Sequence, residues 1–127
     1  MKFGYTILYV DDVPTSVRFY EAAFGFAVKF LHEGGDFGEL DTGTTALAFS
    51  SRKLMAALHK NPQAADAAAP CFEIAFTTDD VRSALDRALA AGAALVQEPQ
   101  QMPWGQTVAY VSDPDGFLVE LCTPVES

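Results

Sequence analysis

Val10-Asp11-Asp12-Val13-Pro14-Thr15-Ser16-Val17-Arg18-Phe19-Tyr20, running on to Phe24-Gly25, is the stretch on which the fold turns. The aspartate pair offers a helix N-cap, and Pro14 suits the first turn, where its missing N–H costs nothing. Val13, Val17, Tyr20 and Phe24 fall on one helical face, and Gly25 stands where a helix-ending glycine belongs. Asp79-Asp80-Val81 repeats the opening, Val81, Leu85, Ala88 and Ala91 repeat the apolar face, and Gly92 repeats the stop. A cap, a face and a terminator rarely recur together by chance, so the chain is predicted to contain two copies of one unit.

Working outward from the two helices, the flanking segments read as strands. Residues 4–10 alternate, with Tyr5, Ile7 and Tyr9 on one side and Thr6, Leu8 and Val10 on the other. Residues 26–33, 37–41 and 45–51 are strand-like between turn residues such as Gly34-Gly35 and Gly43. In the second half the strands are predicted at 72–77, 94–97, 106–112 and 117–123, with Asp113-Pro114-Asp115-Gly116 as a tight turn. The order is βαβββ-linker-βαβββ. The expected class is α+β: a single domain over 1–127, with half-repeats at about 1–51 and 70–127 and a linker at about 52–69 that holds at most one irregular helical turn. Each half leaves one sheet face free of its helix. Two such faces joined as a curved, cup-like mixed sheet would make a concave small-molecule site.

Composition narrows the function classes. The chain has 127 residues, is 50% hydrophobic and carries a formal net charge of −9. That suits one domain with a real core. It leaves no basic stripe for nucleic acid or for an anionic membrane surface. No run of 18 apolar residues exists, and the N-terminal residues enter a strand pattern directly, so a cytoplasmic protein is expected. Cys71 and Cys122 are isolated in apolar strand-like runs and read as buried free thiols. The acidity serves solubility, and it also favours a cationic ligand.

Tyr9-Val10-Asp11-Asp12-Val13-Pro14 through Phe24-Gly25-Phe26 resembles the opening of vicinal-oxygen-chelate proteins. Trp104-Gly105-Gln106, with Asp113-Pro114-Asp115-Gly116-Phe117-Leu118-Val119-Glu120-Leu121, resembles their closing hairpin. This is the glyoxalase/bleomycin resistance/dihydroxybiphenyl dioxygenase fold. Enzymes of that family hold a divalent metal on the cup floor. The resemblance implies ligand positions at Tyr5, Ala48, Glu73 and Glu120, of which only Glu120 keeps the usual residue. Ala48 has no donor atom, and Tyr5 is a poor ligand while its phenol is protonated. Two carboxylates hold at most a weakly bound divalent cation, so no metal site and no cofactor are expected.

Alternation and the family pattern together place the candidate ligand-binding residues. They are Tyr5, Ile7, Tyr9, Phe37, Ala48, Trp104 and Glu120. Tyrosines suit a flat ligand, and a tryptophan on a loop suits a rim contact. Glu73 and Glu120 are the candidate catalytic pair, since neighbouring carboxylates push one pKa up. Their bland reading is a pair of partly solvated strand carboxylates. His32 and His59 read as surface residues; Met55 and Met102 read as core or adaptable lining. The leading expectation is a metal-independent binder of a small, cationic, partly aromatic molecule, similar to bleomycin-resistance proteins and paired as a homodimer. The alternative is a metal-dependent lyase or isomerase of the glyoxalase I type, using Glu120 and Glu73. A third reading is a regulatory module with an empty cup and a partner surface on the linker.

Overall fold

The structure, a computed structural model, describes residues 1–125. The chain divides into two compact units, Met1–Ala64 and Ala65–Ser127. The first unit contains β1 (Tyr5–Val10), α1 (Val13–Phe24), β2 (Ala27–Leu31), β3 (Phe37–Asp41), β4 (Ala46–Ser51) and α2 (Arg52–Ala57). The second contains β5 (Ile74–Thr77), α3 (Val81–Ala90), β6 (Ala94–Gln101), β7 (Thr107–Ser112) and β8 (Leu118–Cys122). The sheets have the orders β1-β4-β3-β2 and β5-β8-β7-β6. In each, the first and last strands of the unit pair in parallel and the other neighbours are antiparallel. This is the α+β arrangement of two βαβββ modules.

The two long helices start for the same reason. The side chains of Asp12 and Asp80 accept hydrogen bonds from the backbone N–H groups of Thr15 and Ser83. Asp12 also accepts from the Thr15 hydroxyl, and this pairing holds its carboxyl below the usual range. α1 buries Val13, Val17, Phe19, Tyr20 and Ala23. Tyr20 meets Phe49 of β4 edge-on, with ring centroids 5.1 Å apart. The helix-facing side of the first sheet is therefore Leu8, Val10, Leu40 and Phe49, all buried. α3 buries Val81, Leu85 and Ala88, and it packs on β6, β7 and β8 of the second sheet. Ala109, Val111, Val119 and Leu121 are the fully buried residues of β7 and β8 on one side of the pleat.

Several bounds differ from the sequence reading. β5 begins at Ile74, so Phe72 and Glu73 precede the strand. Phe72 instead meets the Phe117 ring at 6.0 Å. β6 runs on to Gln101 through two register shifts, the second of which, between Gln97 and Gln100, accommodates Pro99. An edge strand tolerates a proline that a central one would not. Residues 52–57 of the expected linker form α2, capped by Ser51, whose hydroxyl accepts from Leu54 N–H and donates to Asp36. This is the irregular helical turn expected in the linker; weak apolar periodicity hid its bounds, since Met55 is its one buried residue. The Asp113–Gly116 turn is closed by the Asp113 carboxylate, which accepts from the N–H groups of Asp115 and Phe117.

Candidate functional site

Each sheet has a side turned away from its helix, and the strand register says which residues share it. In the first unit, Ile7 pairs with Ala48 and Tyr9 with Ser50. Glu39 pairs with Ala48 and Phe37 with Ser50. Tyr5, Ile7, Tyr9, Phe37, Glu39 and Ala48 thus stand on the open side. Tyr5 is 57% exposed, Ile7, Tyr9 and Phe37 are half-buried, and Ala48 is buried. Phe37 stacks on Phe30 at 5.9 Å, and His32 meets both rings edge-on at 5.8 and 5.4 Å. The Glu39 carboxylate lies 3.1 Å from Lys29. The Lys60 ammonium sits 5.9 Å from the centre of the Tyr9 ring. That π face therefore already holds a cation from its own chain.

In the second unit, Tyr110 pairs with Glu120 across the β7–β8 hairpin, and Ala75 pairs with Glu120 from the other side. The Tyr110 hydroxyl donates to Glu120 Oε1 at 2.9 Å. Burial is the largest cause that pushes the Tyr110 phenol well above its ordinary range. The hydrogen bond to Glu120 adds to it, then the charges of Glu120 and Glu73. The two carboxylates named from sequence are therefore brought to one phenol, which remains a protonated donor. Cys122 is buried on the same strand side as Glu120, and its thiol is pushed up to about 11. Burial is the main cause, followed by Glu120. Tyr110 was missed by the sequence reading. Counting outward from the Asp113–Gly116 turn pairs it with Glu120 and would have found it.

Trp104 lies in the turn between β6 and β7 and is 67% exposed. Its indole N–H donates to Gln106 Oε1 at 2.8 Å, and Gln106 Nε2 donates to the Thr123 carbonyl at 2.8 Å. The sequence reading took Gln106 only as part of a motif, since its role depends on a partner 17 residues away.

The donor chemistry answers the metal question in part. Of the four positions at which the family places ligands, Ala48 offers no donor and Tyr5 a phenol. Glu120 already accepts from Tyr110. Among the described residues, no three His, Cys, Asp or Glu side chains cluster as a metal ion would require. These residues do not fit the three-protein-ligand set of a catalytic zinc site. No helix among the described residues is long and apolar enough to cross a membrane.

Over residues 2–121 the sequence matches the profile of the Glyoxalase/Bleomycin resistance protein/Dioxygenase superfamily. The chain belongs to that superfamily. Its similarity to individual members is modest but runs nearly end to end. It is 27% identical to the uncharacterized protein YraH of Bacillus subtilis, covering 95% of this chain and 97% of that one. It is 28% identical to a probable lactoylglutathione lyase of Vibrio cholerae, covering 92% and 86%. Among solved structures of the superfamily, a glyoxalase-related enzyme from Fulvimarina pelagi superposes with a TM-score of 0.82. The identity there is 22%, with coverage of 98% and 88%. A family enzyme from Burkholderia phytofirmans superposes at 0.80, also with 22% identity, and covers 99% and 100%. These likenesses support the superfamily fold and leave the chemistry to the site residues.

Proposed function

We propose that this superfamily member is a metal-independent binding protein for a small cationic, partly aromatic molecule, taken up on the open sheet face of its second unit. The observation that carries the reading is the Tyr110–Glu120 hydrogen bond beside Glu73. It sets the half-buried Glu120 carboxylate and a phenol whose pKa is raised by burial next to the exposed Glu73, a negative surface suited to a cation. The first unit's open face separately offers Tyr5 as a ring for stacking, with Ile7 and Ala48 on the same side, while Tyr9 and Phe37 there each have one face engaged, by Lys60 and Phe30. The net charge of −9 adds a long-range attraction for cations. An antibiotic with a charged aromatic portion has this chemistry, and a cytoplasmic homodimer is the form in which we place the protein. Titration calorimetry against cationic aromatic antibiotics, in the presence of a chelator, tests the reading. Saturable binding that Glu120→Gln weakens about tenfold is expected, as for a lost charge-assisted contact. Folded protein that binds none of them sinks it. Light scattering in solution checks the dimer.

A second reading is favoured by the Vibrio relatives and by the retained Glu120: a lyase or isomerase of the glyoxalase I type. Glu120 and Glu73 would then be its acid–base groups. It requires bound metal in purified protein and a lyase activity that a chelator removes.

A further inference from the structure

The second unit contains a cavity of about 420 Å³ at one end of its sheet, lined by Asp79, Trp104, Gln106, Thr107, Thr123 and Pro124 among others. Asp79 follows β5, the residues from Trp104 to Thr107 lead into β7, and Thr123 and Pro124 follow β8. The volume is in the range that holds a small organic molecule.

The polar groups of this cavity are largely committed to one another. Thr107 N–H donates to Thr123 Oγ1 at 3.0 Å, and Thr123 N–H donates to the Thr107 carbonyl at 3.0 Å. Gln106 is spent at both ends, on the Trp104 indole N–H and on the Thr123 carbonyl. Backbone bonds close the turn itself: Gly105 N–H to the Met102 carbonyl at 2.9 Å, and Met102 N–H to the Gln106 carbonyl at 2.7 Å. The indole is thus tied by its polar edge, and it lines the cavity. Asp79 is different. It caps no helix, since Asp80 does that, and its carboxylate enters none of these bonds. The cavity therefore presents one tied aromatic ring and one uncommitted negative charge.

We propose that this cavity is a second ligand seat, distinct from the open-face carboxylates, and that it takes a flat aromatic cation. The ring of the ligand lies on Trp104, and its amidinium or ammonium group is directed to Asp79. A cation over an indole gains from the ring quadrupole, and a nearby carboxylate favours the same ligand orientation. The holding of the ring lowers the ordering cost of binding.

Trp104 is the one tryptophan in the sequence, so its emission reports on this cavity directly. The probes are benzamidine and its neutral counterpart benzamide, titrated into the full chain. Benzamidine is expected to quench Trp104 emission saturably, with benzamide about tenfold weaker. Asp79→Asn should weaken benzamidine about tenfold and leave benzamide unchanged. Trp104→Leu, followed by calorimetry, should weaken both. Glu120→Gln separates this seat from the open face: benzamidine still quenches Trp104 in that variant if the seat is the cavity. Equal binding of the two probes, insensitivity to Asp79→Asn, or loss of the response with Glu120→Gln overturns the proposal. None of those outcomes touches antibiotic binding measured at the open face, which stands or falls by its own titration.

Discussion

Two cysteines of one chain make the residue-scale contrast plain. Cys71 is exposed, whereas Cys122 is 2% exposed and its thiol is pushed up to about 11 by burial and by Glu120. Native protein is therefore expected to react at one thiol with a disulfide reagent near pH 8, and at two once denatured. A colorimetric thiol count checks this. The sign of the pH effect follows. A thiol whose folded pKa is raised keeps its full contribution below the unfolded value near 9. That contribution is lost as pH rises toward about 11. Denaturation midpoints should fall over that window, and Cys122→Ala should flatten the fall. At this scale the sequence was legible where alternation decides, as for Tyr5, Ile7, Tyr9 and Ala48. It did not single out Tyr110, and it read Gln106 only in a motif and Asp79 only in a helix opening, because their contacts depend on partners across a hairpin or a cavity.

At the scale of elements, repetition did most of the work. The paired aspartates announced both long helices, and the caps at Asp12 and Asp80 are the physical reason. Strand ends were harder, because residues such as Phe72 are apolar yet serve contacts outside the ladder. α2 was legible only as one irregular helical turn of the linker, without bounds, since a six-residue helix with one buried side chain has almost no periodicity to show. The Asp113–Gly116 turn carries a sharper constraint than its sequence reveals. Gly116 has φ +93, and a Cβ there would stand 2.3 Å from the Ala65 carbonyl oxygen. Neither the conformation nor the backbone contact tolerates a side chain. Gly116→Ala should cost about 1–3 kcal/mol or more, read from urea unfolding. An unchanged midpoint would show that the turn and the 65–69 segment separate readily.

For the molecule as a whole, the family fold was readable from one repeat and one hairpin motif, and the ligand was not. A superfold constrains where a ligand can be held and says little about which one. The discriminating features are single side chains on shared strands, such as a tyrosine opposite Glu120. Such choices leave no periodic trace in the chain.

The outer strands have a further consequence. β2 carries Lys29 within a register break, and β6 has two breaks, the second of which contains Pro99. An interrupted backbone ladder is a poor template for a stranger's strand. The same irregularities that bend these strands should keep a half-apolar chain from growing into fibres in concentrated stock. Replacing Pro99 with valine removes the proline from the second of the two breaks, and turbidity on prolonged incubation should then rise well above that of the parent. If it does not, resistance to clumping resides elsewhere, and the excess negative charge becomes the leading explanation.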